Sequence, residues 1–316
     1  MKTVRKILEK YYILIVLILV GVFFSIAAPN FFTLRNLTNI FVQNSYLIIA
    51  TIGIAMIMIS SGADLSVSYQ IGLVSIVAGK TLTQMGLPTV AGIILGVLTG
   101  ILLGFINGFC TVKLRVHPMV TTMATMTIYQ GIAFVTSNSE TYFNFPDAFK
   151  AIGQGYIGPV PICSIIMVFC VIIGYIMLTK TYFGRYVYSL GGNEEAARLS
   201  GINVKLVRVL AFVISGIFVA VAALVVTART GSASAGIATD AMFTCFTACV
   251  LGGISFNGGG GNVLNVVLSV FILGMLANGM QMMGLSIYAQ YVAKGVLLIA
   301  AIAYDNYQKA AKLREA

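Results

Sequence analysis

The chain has 316 residues, of which 59% are hydrophobic and only 9% charged, with a mean hydropathy of +0.98. Soluble globular chains carry roughly 25% charged residues, so water is not this protein's main solvent. The net charge of +10 is therefore read as a signal of membrane topology and not as a footprint for nucleic acid.

Apolar runs recur along nearly the whole length, each long enough to cross roughly 30 Å of hydrocarbon as a helix. The alternating short segments of a β-barrel are not found. The first run, 11–28, follows Lys2, Arg5, Lys6 and Lys10, but it exceeds a typical signal-peptide core and Ala27-Ala28-Pro29 makes a poor cleavage site, so it is read as a retained helix. Further spans are predicted at 39–60, 66–85, 88–112, 118–137, 161–179, 209–228, 240–256, 262–280 and 286–304. The fold class is thus all-α: a single polytopic membrane domain over 1–316 with about ten transmembrane helices.

Basic residues in the loops set the orientation. With the N-terminus inside, only Arg35, Lys150 and Arg229 of the 19 lysines and arginines fall outside, while Lys80 and Lys294 lie within spans. The cytoplasmic set is Lys2, Arg5, Lys6, Lys10, Lys113, Arg115, Lys180, Arg185, Arg198, Lys205, Arg208, Lys309, Lys312 and Arg314. An even number of crossings, with both termini cytoplasmic, preserves this asymmetry. Residues 138–160 then form an external loop interrupted by Pro146, Pro159 and glycines, and 180–208 form a cytoplasmic loop. The second to fifth spans begin inward and the seventh to tenth outward, the arrangement of an inverted repeat, with glycine-containing breaks expected at 60–68 and 251–261.

Within the cytoplasmic loop, Asn193 suits an N-cap, Glu194 and Glu195 sit in the first turn against the positive helix end, and Ser200-Gly201 supplies a stop. A short surface helix follows, too short to persist in water without a partner surface. Ala196, Ala197 and Leu199 offer small or apolar contacts, and Arg198 a charged one. An ordinary loop helix on the membrane is the alternative.

Polar residues on apolar helices mark a candidate hydrated pathway: Gln43, Asn44, Asp64, Ser66, Ser68, Asn278 and Gln281. Helix-packing contacts are the competing explanation. Asp64, near a helix break, is expected either to serve transport or to cap the next helix together with Ser66 and Ser68. Lys294 is expected to snorkel to the interface. The five cysteines, Cys110, Cys163, Cys170, Cys245 and Cys249, show no metal or redox spacing and read as small packing residues. Gly153, Gly155 and Gly158 fit G-x-G-x-x-G but without a preceding strand, and Gly79-Lys80-Thr81 lacks the first glycine of a phosphate loop, Val74 standing in its place. The single histidine, His117, cannot build a metal site or a triad. No catalytic or metal-binding constellation is present.

The cytoplasmic segment resembles the coupling loop of bacterial ATP-binding-cassette (ABC) sugar permeases of the ribose, xylose and galactose type. Gly184-Arg185-Tyr186 and Gly191 through Ile202 carry that resemblance, including Gly191, Gly192, Asn193, Glu194, Glu195, Ala196, Ala197, Arg198, Leu199 and Gly201. It extends to Pro29-Asn30-Phe31-Phe32-Thr33, Asp64-Leu65-Ser66-Val67, Val250 to Ser255, Asn278-Gly279-Met280 and Lys294-Gly295, in order along the chain. Where such permeases carry Gly-Gly-Ile-Asp-Leu-Ser-Val-Gly-Ser, this chain departs at Ser61, Ala63, Ser68 and Tyr69, and Tyr69 is expected to narrow the path or alter the ligand.

The resemblance implies a non-enzymatic transport subunit in the bacterial inner membrane. Its expected partners are a second permease copy, a separate ATPase subunit that uses ATP and Mg, and a periplasmic or lipid-anchored solute-binding protein. This chain itself is expected to bind no cofactor. A monosaccharide is the expected solute; nucleosides or furanose-like signalling molecules remain open. An ion-coupled secondary transporter is the rival class, disfavoured because intramembrane carboxylates are scarce.

Overall fold

A computed structural model describes the backbone of residues 2–315 and the side chains of 12–303. The basic residues expected in the cytoplasm at the two ends (Lys2, Arg5, Lys6 and Lys10; Lys309, Lys312 and Arg314) lie outside the described side chains. Thirteen helices follow one another: α1 (Lys2–Ala27), α2 (Leu34–Ile59), α3 (Val67–Thr83), α4 (Thr89–Leu114), α5 (Pro118–Ser137), α6 (Asp147–Gln154), α7 (Ile162–Lys180), α8 (Tyr182–Gly192), α9 (Glu194–Leu199), α10 (Val204–Thr230), α11 (Ala241–Leu251), α12 (Val263–Met282) and α13 (Ile287–Glu315). The loop of residues 138–160 holds α6 and a hairpin of β1 (Tyr156–Ile157) and β2 (Val160–Pro161), turned by Gly158 at φ +59°.

Every expected span contains a helix, but the spans are not equivalent. Among the described residues, five helices are long and apolar enough to cross a membrane by length and composition: α2, α4, α7, α10 and α12. At 1.5 Å per residue, α3 rises about 25 Å and α11 only about 16 Å, short of the roughly 30 Å needed. The expected span 240–256 is therefore corrected: helix stops at Leu251, and 252–262 are irregular.

Local chemistry sets the ends. Thr33 caps α2 through Asn36 N–H (3.3 Å), and Ser61 at φ +59° ends it. His117 accepts from Met119 N–H (3.3 Å) with Pro118 opening α5. Asn203 caps α10, and Gly231 closes it in the left-handed region that glycine tolerates.

α2 and α10 form the centre. Every residue of α2 from Asn44 to Ile59 is buried, as expected of a helix apolar on all sides. The two run antiparallel, with Arg229 near the end of α10 over the Tyr46 ring midway along α2, while Gly53, later in α2, meets Ser215, earlier in α10. α4 binds α10 more closely still. Gly96, Gly100, Gly104 and Gly108, spaced by four, fall on one face of α4 and meet Leu224, Gly216 with Ala220, Phe212 and Val209 in turn. Gly100 and Gly216 each abut the other's carbonyl, so backbones touch where side chains would stand.

The packing maps onto itself when α2–α5 are exchanged with α10–α13. α3 packs on α4 and α5, as α11 packs on α12 and α13; α2 packs on α11 and α12, as α10 packs on α3 and α4. With α2 and α10 antiparallel, this is the pattern of an inverted repeat. The breaks correspond as well, but not where the sequence suggested: the counterpart of 60–66 is 231–240, before α11, rather than the glycine-rich 251–261 after it.

A side chain at Gly100 or Gly104 would have to push the α4 and α10 backbones apart. Gly100→Leu or Gly104→Val should cost at least about 1–3 kcal/mol, seen as a lowered unfolding midpoint in detergent. Gly131→Ala, where a Cβ meets nothing within 4 Å, should leave the midpoint unchanged.

Candidate functional site: the broken helices and the α8–α9 corner

The two breaks bring the N-termini of α3 and α11 together in the interior. Ser68 Oγ donates to Thr239 O (3.1 Å) and accepts from Met242 N–H (3.0 Å), joining the first turns of both helices. Ala235 O lies against Gly72, where any side chain would collide. Two positive helix ends thus face one another, an arrangement that calls for negative charge close by. A carboxylate stands at each: Asp64 before α3, Asp240 before α11.

Asp64 is 1% exposed. Its Oδ1 accepts from Ser66 N–H (2.9 Å) and from the Ser66 hydroxyl, and Oδ2 accepts from Gln70 Nε2 (2.7 Å). Asn107 Nδ2 on α4 approaches both oxygens at 3.3–3.4 Å and donates to Ser66 Oγ at 2.9 Å. Asn107 Oδ1 accepts from the Tyr129 hydroxyl of α5 (2.9 Å). Thr122 of α5 holds the break itself, accepting from Leu65 N–H (3.1 Å) and lying 3.1 Å from Ala63 O. Asp64 is accordingly a cap and the centre of a network across α3, α4 and α5. Gln70, Asn107, Thr122 and Tyr129 were missed in the sequence because nothing in the linear pattern links them across three helices, and only the fold collects them.

Asp240 is ion-paired with Lys294 of α13 (2.9 Å), whose ammonium also donates to Thr244 Oγ1 (3.2 Å). Lys294 therefore does not snorkel; its partner, distant in sequence, holds it in place.

The remaining polar positions separate. Asn278 exchanges amide hydrogen bonds with Asn36 (2.9 and 3.1 Å), tying α12 to α2. Asn44 donates to Ile40 O (2.7 Å) and fills the space left by Gly274. Gln43 and Gln281 are exposed on the helix surfaces. The seven residues do not line one cavity: Asp64, Ser66 and Ser68 gather at the helix N-termini, Asn44 and Asn278 are packing contacts, and Gln43 and Gln281 stand apart. Tyr69 is half-buried and accepts from Gln130 Nε2 of α5 (2.8 Å), so it fills space between α3 and α5.

At the end of the molecule where α2 stops, α8 and α9 form a corner. Asn193 ends α8 and caps α9, its Oδ1 accepting from Ala196 N–H (2.9 Å), and Gly201 at φ +82° ends the turn. Glu194 pairs with Arg208 of α10 (2.8 Å), and Glu195 with Arg198 on α9 itself. Gly192, Asn193, Glu194, Glu195, Ala196, Arg198, Leu199 and Gly201 are exposed, Leu199 at 79%. Gly191 and Ala197 are not: Ala197 is 4% exposed against α8 and α10, and Gly191 is wedged against Ile59 O and Gly259 N. α8 itself was not expected, since Gly184, Gly191 and Gly192 read as loop residues. Burial raises the Tyr188 phenol above its ordinary range and keeps it protonated to donate to Gly261 O (2.8 Å).

The chain is similar over residues 36–302 to the family described as branched-chain amino acid transport system, permease component. It is 33% identical to the ribose import permease of Haemophilus influenzae, covering 98% of this chain and 96% of that one. It is 33% identical to the galactose/methyl galactoside import permease of Escherichia coli (96% and 94% covered), and 34% identical to the L-arabinose transport system permease of the same organism (97% and 93%). No solved structure matches it.

Removing the Asp64 carboxylate leaves the buried Ser66 N–H and hydroxyl without their acceptor and takes one of two acceptors from each of the Gln70 and Asn107 amides, which keep Ser66 Oγ. Asp64→Ala should cost several kcal/mol at about 1–3 kcal/mol per orphaned group. In Asp64→Asn the new amide can donate to Gln70 Oε1, which has no partner now, and the loss should be smaller. Thermal unfolding of both variants in detergent checks the order; equal losses would contradict the network.

Proposed function

Since the chain belongs to the permease family that supplies the membrane-spanning subunits of ABC importers, we propose that it is the permease of a monosaccharide importer in the bacterial inner membrane. Near full-length similarity to ribose, galactose and arabinose permeases carries the choice of solute. The chain is a transport subunit and not an enzyme. ATP and Mg act on a separate ATPase subunit, an external solute-binding protein delivers the sugar, and a second permease copy completes the membrane unit.

The α8–α9 corner is the contact for the ATPase. Leu199 and Ala196 are its apolar surface, whereas Ala197 and Gly191 fasten it to the permease; the exposed Glu195–Arg198 pair contributes little. The corner is also the cytoplasmic end of the molecule in this reading, with both termini on that side, 180–208 as the coupling loop and 138–160 outside.

Uptake of radiolabelled ribose, arabinose or galactose into vesicles containing permease, ATPase and binding protein tests the solute; transport of none of them overturns the reading. Leu199→Asp should abolish sugar-stimulated ATP hydrolysis and uptake at normal permease levels, and retention of both would remove the corner from coupling. For topology, a cysteine replacing Gly158 should be labelled from outside intact cells, and one replacing Leu199 only after the membrane is opened. The reverse pattern would invert the orientation.

A further inference from the structure

A cavity of about 380 Å³ opens between α11 and α13 beside the facing helix N-termini, lined among others by Thr239, Asp240, Phe243, Thr247, Tyr291 and Lys294. Its volume falls in the roughly 300–1,000 Å³ range of small-molecule sites. Three features distinguish it from a gap between packed helices.

First, it contains charge in the wrong place for lipid. The Asp240 side chain is 35% exposed although it stands at the start of a helix whose end and neighbours lie in the apolar body of the protein. A carboxylate cannot face hydrocarbon at that depth without a large penalty, so this face of the molecule meets water or another polar surface. Second, the charge is already compensated. Lys294 lies 2.9 Å from Asp240, so the pair offers hydrogen bonds without offering a net charge. Third, capacity is left over. Of the ammonium's three donors, two are taken by Asp240 Oδ2 and Thr244 Oγ1. Among the described residues, Asp240 Oδ1 and the hydroxyls of Thr239 and Tyr291 make no hydrogen bond. Spare donors and acceptors side by side suit hydroxyl groups, which donate and accept at once. The exposed rings of Phe243 and Tyr291 add apolar surface for the C–H face of a sugar ring.

We propose that this cavity is a contact site for a neutral polyhydroxylated solute on its path across the membrane, with Asp240 and Lys294 as the pair that binds its hydroxyls. The site rests on the sugar-permease reading and deepens it, placing the path along α11 and α13 and not through the sealed Asp64 network. An ionic solute would have to displace one member of the pair to gain a partner, whereas a polyol binds both without separating them.

The test uses the assembled transporter of permease, ATPase and binding protein in vesicles. Wild-type protein should take up at least one neutral sugar. Tyr291→Phe and Thr239→Val, which delete single hydroxyls, should raise KM for uptake severalfold. Asp240→Leu combined with Lys294→Met removes both charges without leaving one unpaired, and should lower sugar uptake at least tenfold at normal permease levels. Phe243→Cys, at a lining position that is 58% exposed, should react with a water-soluble thiol reagent, and saturating sugar should slow that reaction. Wild-type uptake by the charge-free double variant, or inertness of Phe243→Cys, would overturn the site while leaving the sugar permease intact. Uptake of leucine in place of any sugar would overturn both.

Discussion

In a bilayer the lipid tails are as apolar as leucine, so helices associate through close packing and hydrogen bonds and not by escaping water. The glycine seam between α4 and α10 supplies that closeness. With Gly96, Gly100, Gly104 and Gly108 on one face and Gly216 opposite, the backbones come into close contact from Gly100 to Gly108, in the middle of α4. The seam fixes α10, a helix of the second half, inside the first, and the corresponding packing of α2 on α11 and α12 does the reverse. Neither half has a core without the other's first helix. From this exchange everything at the centre follows, because it aligns the breaks after α2 and α10 so that α3 and α11 start from the same depth.

Two helix N-termini meeting in a low-dielectric interior repel, and their unpaired N–H groups need acceptors. The protein meets this with one carboxylate per helix, handled in different ways. Asp64 is sealed, its oxygens accepting from Ser66, Gln70 and Asn107, which makes it a fixed structural cap. Asp240 is half-open and neutralised by Lys294. The pseudosymmetry of the backbone thus carries an asymmetry of chemistry, and only one of the two related positions keeps hydrogen-bonding capacity facing open space.

What the sequence revealed depended on how local the signal was. The α9 helix was legible to the residue because its determinants lie within ten positions: Asn193 as cap, acids in the first turn, Gly201 as stop. Its orientation was not, since burial of Ala197 depends on α8 and α10. The second break was misplaced because Gly252, Gly253 and Gly258 to Gly261 outweigh the Ser, Ala and Thr of 231–240, yet a break needs only polar or small residues whose backbone finds partners, as Ala233 does with Tyr142. The α4 glycines were passed over when glycine was read as a breaker; at a spacing of four within an apolar run it marks a contact face. Asp240 and Lys294, which are 54 residues apart, left no trace of their pairing in the linear pattern.

The α8–α9 corner and the two broken helices share one joint. Gly191 at the end of α8 sits against Ile59 at the end of α2, and Gly259 N–H donates to Ile59 O (2.8 Å). The Ser61 hydroxyl lies within hydrogen-bonding distance of both Gly191 O (3.0 Å) and Asn257 O (2.5 Å). The segment leading into α3 and the segment leaving α11 therefore converge on the same few atoms beneath α8. Because Gly191, Gly258 and Gly259 leave no room for a side chain there, the joint has little slack, and a displacement of the corner by a partner cannot be absorbed within it. Such a displacement would act at once on the break before α3 and on the far end of α11, the two short helices whose N-termini meet beside the Asp240–Lys294 pair. Mechanical continuity of this kind runs from the exposed α8–α9 corner to the carboxylate–ammonium pair that the described residues hold within the apolar body.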